Sequence, residues 1–280
     1  MSASAAMATA RCLMPAVLNP YWRRNDMQLP RMPGFRLDGR RALVTGAGRG
    51  IGVALAAALA ESGADVTLVA RTAQDVETAA AAICAAGGTA RAATLDVADI
   101  AAVAAFFDSR PAFHVLVNNA GTNRPKSMME VSEADYDAVL NLNLKSAFFV
   151  AQASARRMIA EGVAGSLIHV GSQMGHVGGP NRSLYCASKW GLEGMSKAFA
   201  LDLARYSIRS NTLAPTFIET PMTRPFLEDA AFRDSVLSKI KLGRLGTVED
   251  LMGAAVFLAS DASALMTGTS LVVDGGWTAE

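Results

Sequence analysis

Cysteine is scarce in this sequence. Cys12, Cys84 and Cys186 are the only three in 280 residues, widely spaced and odd in number. Neither a disulfide framework nor a CxxC metal site can be built from them. Histidine is as rare, and His114, His169 and His176 lack HExxH spacing, so no metal centre is expected. Neither sign of charge is in excess: 26 basic residues face 25 acidic ones, a formal net charge of +1. That balance argues against nucleic acid or an anionic membrane surface as the main partner. Long apolar runs are missing too; the run Val53 to Ala60 stops at Glu61, far short of a membrane span. A reducing, cytoplasmic compartment is the default, and no internal repeat or low-complexity linker interrupts the chain.

What is present is apolar and periodic. Hydrophobic residues make up 51% of the chain, enough for a sizeable core. The segment 1–38 stands apart, with Pro15, Pro20, Pro30 and Pro33, several arginines and no clear periodicity. It reads either as a targeting peptide or as a poorly ordered extension, with Met27 or Met32 as an alternative start. The lack of an apolar h-region and of a small-residue cleavage site favours the extension. A single domain is expected over 39–280.

From Arg41 onward, strand-like and helix-like segments alternate. Strands are expected at Arg41–Thr45, Asp65–Ala70, Thr89–Leu95, Phe113–Asn118, Ser166–Val170, Ile208–Ala214 and Ser270–Asp274. Between them lie helical patterns at Ile51–Ser62, after a TAQD capping signal at Thr72, at Ile100–Asp108, from SEAD at Ser132 to about Glu161, at Leu184–Arg205, and after TVED at Thr247. Alternation of this kind means an α/β fold, a parallel sheet covered on both faces by right-handed βαβ units. Ligands in such sheets bind beyond the carboxyl ends of the strands.

The first strand is followed by TGAGRGIG, Thr45 to Gly52. Glycines there allow positive φ and close backbone approach, and a helix N-terminus behind them suits a pyrophosphate. The pattern is T-G-x-x-x-G-x-G, on Gly46, Gly50 and Gly52. At the end of the second strand, where NAD-selective sites place a carboxylate, stand Ala70 and Arg71. Arg71 can pair with a 2′-phosphate and Arg49 adds charge nearby, so NADP(H) is expected over NAD(H).

The fifth strand ends just before Ser172, and Tyr185 and Lys189 follow in LYCASKWG. Residues i and i+4 share a helix face. An ammonium beside a phenol favours the phenolate, which predicts a lowered Tyr185 pKa and a group able to exchange a proton with an alcohol or carbonyl. Ser172 could bond the oxygen on which charge develops. Asn141 and Asn143 fall inside the long helix, where asparagine is a poor former, and suggest a kink or a held water.

Together these motifs, with Asp96-Val97 and NNAG at Asn118–Gly121, resemble the short-chain dehydrogenase/reductase family from about Gly39 to Trp277. The resemblance implies a Rossmann-type, doubly wound, seven-stranded sheet of order 3-2-1-4-5-6-7. It implies Tyr185 as general acid/base, Lys189 on the nicotinamide ribose, Ser172 orienting the substrate oxygen, and Asn143 holding a water that links Lys189 to solvent. Gly46, Arg49, Gly50, Ile51, Gly52 and Arg71 would hold one part of the cofactor and Asp96 and Val97 the adenine. Asn118, Ala120, Gly121, Pro215, Ile218 and Thr220 would line the remainder. A homotetramer, or a homodimer, is the implied assembly. Two departures stand out: Thr216 replaces a usual glycine after Pro215, and Gly171 replaces the frequent serine before Ser172.

Enoyl reductases of the superfamily space Tyr and Lys farther apart, so the four-residue spacing points to alcohol/ketone chemistry. Substrate choice is expected from Gln173–Ser183 and from a lid over about 216–242. Gln173, His176, Arg182 and Arg224, with Asn181, Asn123 and Arg124, give this rim a polar, cationic character that suits a sugar, sugar acid or polyol. A 3-oxoacyl-carrier-protein reductase and a non-catalytic NADP sensor are the rival readings; a sensor would not need Ser172, Tyr185 and Lys189 together. Cys186, His169 and His114 read as structural.

Overall fold

The computed structural model describes residues 29–279. The chain divides into two units, 1–33 and 34–280. Of the first, only residues 29–33 are described, as exposed chain without helix or strand; the expectations for the preceding residues lie outside the described ones. The second unit begins at Gly34 rather than Gly39. Leu37 is buried within it and donates its N–H to the Ser62 carbonyl (2.8 Å).

Seven strands form one sheet: β1 (Arg41–Thr45), β2 (Asp65–Ala70), β3 (Thr89–Thr94), β4 (Val115–Asn118), β5 (Gly165–Val170), β6 (Ile208–Pro215) and β7 (Ser270–Val273). Their order is β3-β2-β1-β4-β5-β6-β7, and every pairing is parallel. The helices are α1 (Ile51–Glu61), α2 (Ala73–Ala85), α3 (Ile100–Asp108), α4 (Glu133–Leu140), α5 (Ser146–Ala160), α6 (Ser183–Leu203), α7 (Arg224–Leu227), α8 (Ala230–Leu237) and α9 (Glu249–Ala259). The central strands read as unbroken apolar runs because both faces are covered. On one face Val44, Val66 and Leu68 pack with α1, α2 and α9. On the other, Leu43, Leu116 and Leu167 pack with α3 and α5. The order reverses between β1 and β4, which opens a crevice at their carboxyl ends.

Local departures from the sequence pattern have local causes. β4 starts at Val115, because His114 and Ala112 are already spent on Arg41: its N–H donates to His114 Nδ1 (3.0 Å) and its guanidinium to the Ala112 carbonyl. Thr72 makes no side-chain cap on α2, whereas Ser132 and Asp135 form a reciprocal capping box on α4. At Thr247 the roles are inverted: Asp250 accepts the Thr247 N–H (2.8 Å) and pairs with Arg244 (2.7 Å). The long helix is broken by a π-helical turn at Asn141–Lys145. An i→i+5 turn inserts one residue, shifting the side-chain register by about 100° and carrying Asn143 inward.

His169 is fully buried on β5, with Nε2 3.3 Å from Ser210 Oγ. Burial, then the Lys189 charge, lowers its pKa to about 4. The unfolded chain takes up this proton first, so stability is lost as pH falls from about 6.5 towards 4. The loss amounts to roughly 3 kcal/mol. Urea midpoints of the wild type are expected to decline over this range more steeply than those of His169→Gln; parallel slopes would clear His169 of the effect.

Candidate active site

The crevice at the β1/β4 reversal is a cavity of ≈ 360 Å³. Its floor is two backbones in close approach. A Cβ on Gly46 would lie 2.9 Å from Ala120 Cα, and one on Gly52 would collide with the Gly46 carbonyl. Gly46 and Gly50 also hold φ of 64° and 59°, conformations that L side chains rarely take. Asn119 fastens this junction, its Nδ2 donating to the Thr45 (2.9 Å) and Gly46 (3.2 Å) carbonyls. Asn118 does not reach the cavity as expected. It is buried behind it and donates to the Ala147 carbonyl (2.7 Å); the second asparagine of NNAG lines the site instead.

The other residues expected to hold a dinucleotide do line the cavity: Gly46, Arg49, Gly50, Ile51, Gly52, Arg71, Asp96, Val97, Ala120, Gly121, Pro215, Ile218 and Thr220. Arg49 and Arg71 are exposed and neither makes an ion pair with a described residue. Ala70 beside them is small, and the acids lining the cavity are Asp75 and Asp96. At the far end, the buried Thr216 Oγ1 has no hydrogen-bond partner among the described residues. Glycines, guanidiniums without a described partner and an orphaned hydroxyl are a lining that fits a phosphorylated dinucleotide.

That end also carries Ser172, Tyr185 and Lys189. Ser172 closes β5 with its single proton directed to Gln173 Oε1 (2.7 Å), and it accepts the Met174 N–H (3.1 Å). Gln173 is thus a buried partner of the serine and lines neither this cavity nor the one beyond it. Lys189 is buried on α6 and donates to the Val170 carbonyl at 2.8 Å. Burial lowers its pKa to about 8, against the opposing pull of the Glu193 carboxylate one turn on.

The expected lowering of Tyr185 by Lys189 is not what the chain's own residues produce. Lys189 Nζ lies 5.6 Å from the phenol ring centroid, engaged with Val170. Burial pushes the Tyr185 pKa up; the Ser172 hydroxyl and then the Arg182 charge work against it. Desolvation of the phenolate wins.

Asn143 is spent on scaffolding. Its Oδ1 accepts the Thr122 N–H (2.7 Å), and its Nδ2 donates to the Thr122 carbonyl (2.9 Å) and to Ser188 Oγ (3.1 Å). Ser188 in turn donates to the Tyr185 carbonyl (2.8 Å). The loop after β4 is thereby clamped to the helix that carries the tyrosine. Sequence reasoning missed Ser188, although its place beside Lys189 was a signal.

The rim differs more. His176 turns away from both cavities, its Nε2 3.0 Å from Ser270 Oγ and 3.5 Å from Glu193. Arg124 and Lys126 both pair with the buried Asp135 (3.2 and 2.6 Å). Arg224 is exposed on the lid and lines neither cavity. Arg182 is buried and lines a second cavity beside the first. Cys186 is half-buried with its thiol pushed up by burial, as a structural cysteine would be.

A family profile described as enoyl-(acyl carrier protein) reductase matches residues 46–278. The chain belongs to the short-chain dehydrogenase/reductase family. It is 40% identical over 248 residues to gluconate 5-dehydrogenase of Gluconobacter oxydans (strain 621H), covering 87% of this chain and 96% of that one. It is 39% identical to D-threitol dehydrogenase of Mycolicibacterium smegmatis, over 87% and 95% of the two chains. A gluconate 5-dehydrogenase from Burkholderia cenocepacia J2315, crystallised with NADP and tartrate, superposes with a TM-score of 0.85. That match has 42% identity and covers 88% and 98% of the respective chains. The chain has the four-residue Tyr185–Lys189 spacing expected above for alcohol/ketone chemistry, and the relatives named here are dehydrogenases.

One departure from the family pattern now has a cause. A Cβ on Gly171 would stand 2.9 Å from Glu193 Oε1, and that carboxylate accepts from Thr212 Oγ1 (2.7 Å). The missing side chain makes room for a buried acid. Gly171→Ser is expected to destabilise the fold by about 1–3 kcal/mol, and Glu193→Ala to recover part of that loss in the double variant. Thermal midpoints of the four proteins test it; strictly additive penalties would separate the two positions.

Proposed function

We propose that this chain is an NADP-dependent oxidoreductase interconverting a secondary alcohol and a ketone on a small, hydroxylated substrate. The observation that carries this reading is one cavity with Ser172, Tyr185 and Lys189 at one end and the glycine turn with two unpaired arginines at the other. The names of its relatives, a gluconate and a threitol dehydrogenase, point to the same class of substrate.

The nicotinamide, when bound, exchanges a hydride with the substrate carbon. The protein's part is position and the proton. Tyr185 gives a proton to the ketone oxygen in reduction and takes one from the alcohol in oxidation. Ser172 bonds the same oxygen after its hydroxyl rotates away from Gln173. Lys189 holds the ribose hydroxyls and supplies positive charge at the back of the tyrosine. Both amide protons of Asn143 are engaged, so a water linking Lys189 to solvent would rest on backbone carbonyls of the π-helical turn. Arg71, with Arg49, takes the 2′-phosphate. Ile51, Asp96, Val97, Ala120, Gly121, Pro215, Ile218 and Thr220 complete the cofactor's walls.

No described helix is long and apolar enough to cross a membrane. Cytoplasmic residence is supported by the free thiols of Cys84 and Cys186. Self-association as a homotetramer is supported by exposed Phe148, Trp190 and Leu201 on α5 and α6.

Tyr185→Phe is expected to lower kcat by roughly 10²–10⁴-fold while leaving NADPH binding, followed by its fluorescence, nearly unchanged. An active variant would refute the role. Because burial holds the phenol protonated, ketone reduction should already be supported at neutral pH. Alcohol oxidation should rise as pH is taken from 7 into the alkaline range; an oxidation rate flat with pH would contradict this assignment. Arg71→Ala should raise KM for NADP by at least about tenfold with little change for NAD. A wild type that strongly prefers NAD would remove Arg71 from the site. A panel of aldonates, ketoaldonates and polyols, against hydrophobic ketones and an acetoacetyl thioester, identifies the substrate class.

A further inference from the structure

Arg182 is a buried cation without an anion. Its residue is 8% exposed, and its guanidinium makes no hydrogen bond or ion pair with a described residue. It heads α6, directly after Asn181, which holds a left-handed φ of 57°. Its stem lies against Gly179, where a Cβ would come within 3.4 Å of its Cγ. Around its head are the lid's Phe226 and Phe232 rings, 5.7 and 5.8 Å from Cζ to centroid.

Two ring faces near the outer limit of cation–π attraction do not use any of the five N–H donors of a guanidinium. A buried charge ordinarily has a hydrogen-bonded counter-charge. The space beside Arg182 is a cavity of ≈ 540 Å³, also lined by Asn181, Met174, Phe226, Phe232 and Trp277. Its other charged groups are Lys239, placed over the Trp277 ring (5.3 Å), and Asp229. The Asp229 carboxylate already caps α8, accepting the Ala231 and Phe232 N–H groups. Both bonds fall on Oδ1, and no ion pair joins Asp229 to Arg182, so the cavity sets one carboxylate against two cations, Arg182 and Lys239. Tyr185 is three residues on, on the same helix face, close enough for its phenol to feel the Arg182 charge.

We propose that Arg182 binds the carboxylate of the substrate, so that the chain acts on hydroxy or keto sugar acids in preference to neutral sugars and polyols. This rests on the oxidoreductase reading above and narrows it. The reacting carbon lies at Tyr185 and Ser172, the acid end in the second cavity, where a bidentate pair with Arg182 fixes which hydroxyl meets the tyrosine. Phe226 and Phe232, already beside the guanidinium, shield that pair from water.

The test compares kcat/KM for gluconate and for glucitol, with NADP, in the wild type and in Arg182→Met. The wild type should favour the acid, and the acid-to-polyol ratio should fall at least about thirtyfold in the variant, with Arg182→Lys in between. A mere staple of lid to helix would depress both substrates alike, and an unchanged ratio overturns the proposal. So does a wild type that uses glucitol as well as gluconate. NADPH binding confirms that each variant is folded. A second readout needs no variant: tartrate should inhibit the wild type at least about tenfold more tightly than threitol, and equal inhibition overturns the assignment. If only hydrophobic ketones are turned over, the polar-substrate reading falls and this inference with it. Turnover of both polar classes with an indifferent ratio removes Arg182 alone.

Discussion

The arrangement depends on an ammonium held out of water. Lys189 keeps its place because its Nζ has the Val170 carbonyl at the end of β5 as a partner, and because Glu193 on the next turn offsets some of the cost of burial. Those contacts fix α6 against β5 and β6. They thereby help fix Tyr185, whose ring packs against the cluster around Met174 and Trp277. Gly171 is part of the same constraint, since any side chain there would displace the acid.

Electrostatics in the site run against simple pairing. Two opposed tendencies meet: burial favours neutral Lys189 and neutral Tyr185, whereas nearby Glu193 and Arg182 favour their charged forms. Burial thus keeps the phenol protonated, while a lysine with a pKa of about 8 stays mostly charged beside it at neutral pH. Tuning comes from the second layer of charges as much as from the reacting residues.

The clamp Thr122–Asn143–Ser188–Tyr185 has a comparable logic. A π-helical turn is a local defect in a long helix, and its purpose is legible in what it buries. It brings a carboxamide to where one side chain ties the loop after β4 to α6. The pocket floor and Tyr185 are thus parts of one hydrogen-bonded frame.

Much of this was legible in the order of residues. Alternating apolar runs determine the parallel sheet, and the glycines at 46 and 52 mark a turn where two backbones approach closely. Tyr185 and Lys189 four apart must share a face, because helical geometry is local. What the sequence could not decide were contacts between distant segments. Asn119 rather than Asn118 faces the crevice, since the strand's alternation at its last residue sets the side. His176 and Arg124 found partners in Ser270 and Asp135, so their charge never reached the rim. Arg182, read with them as part of the polar rim, is the one that stays there, buried beside two rings of the segment after β6. Only tertiary burial separates an arginine with nothing to bind from one waiting for an anion.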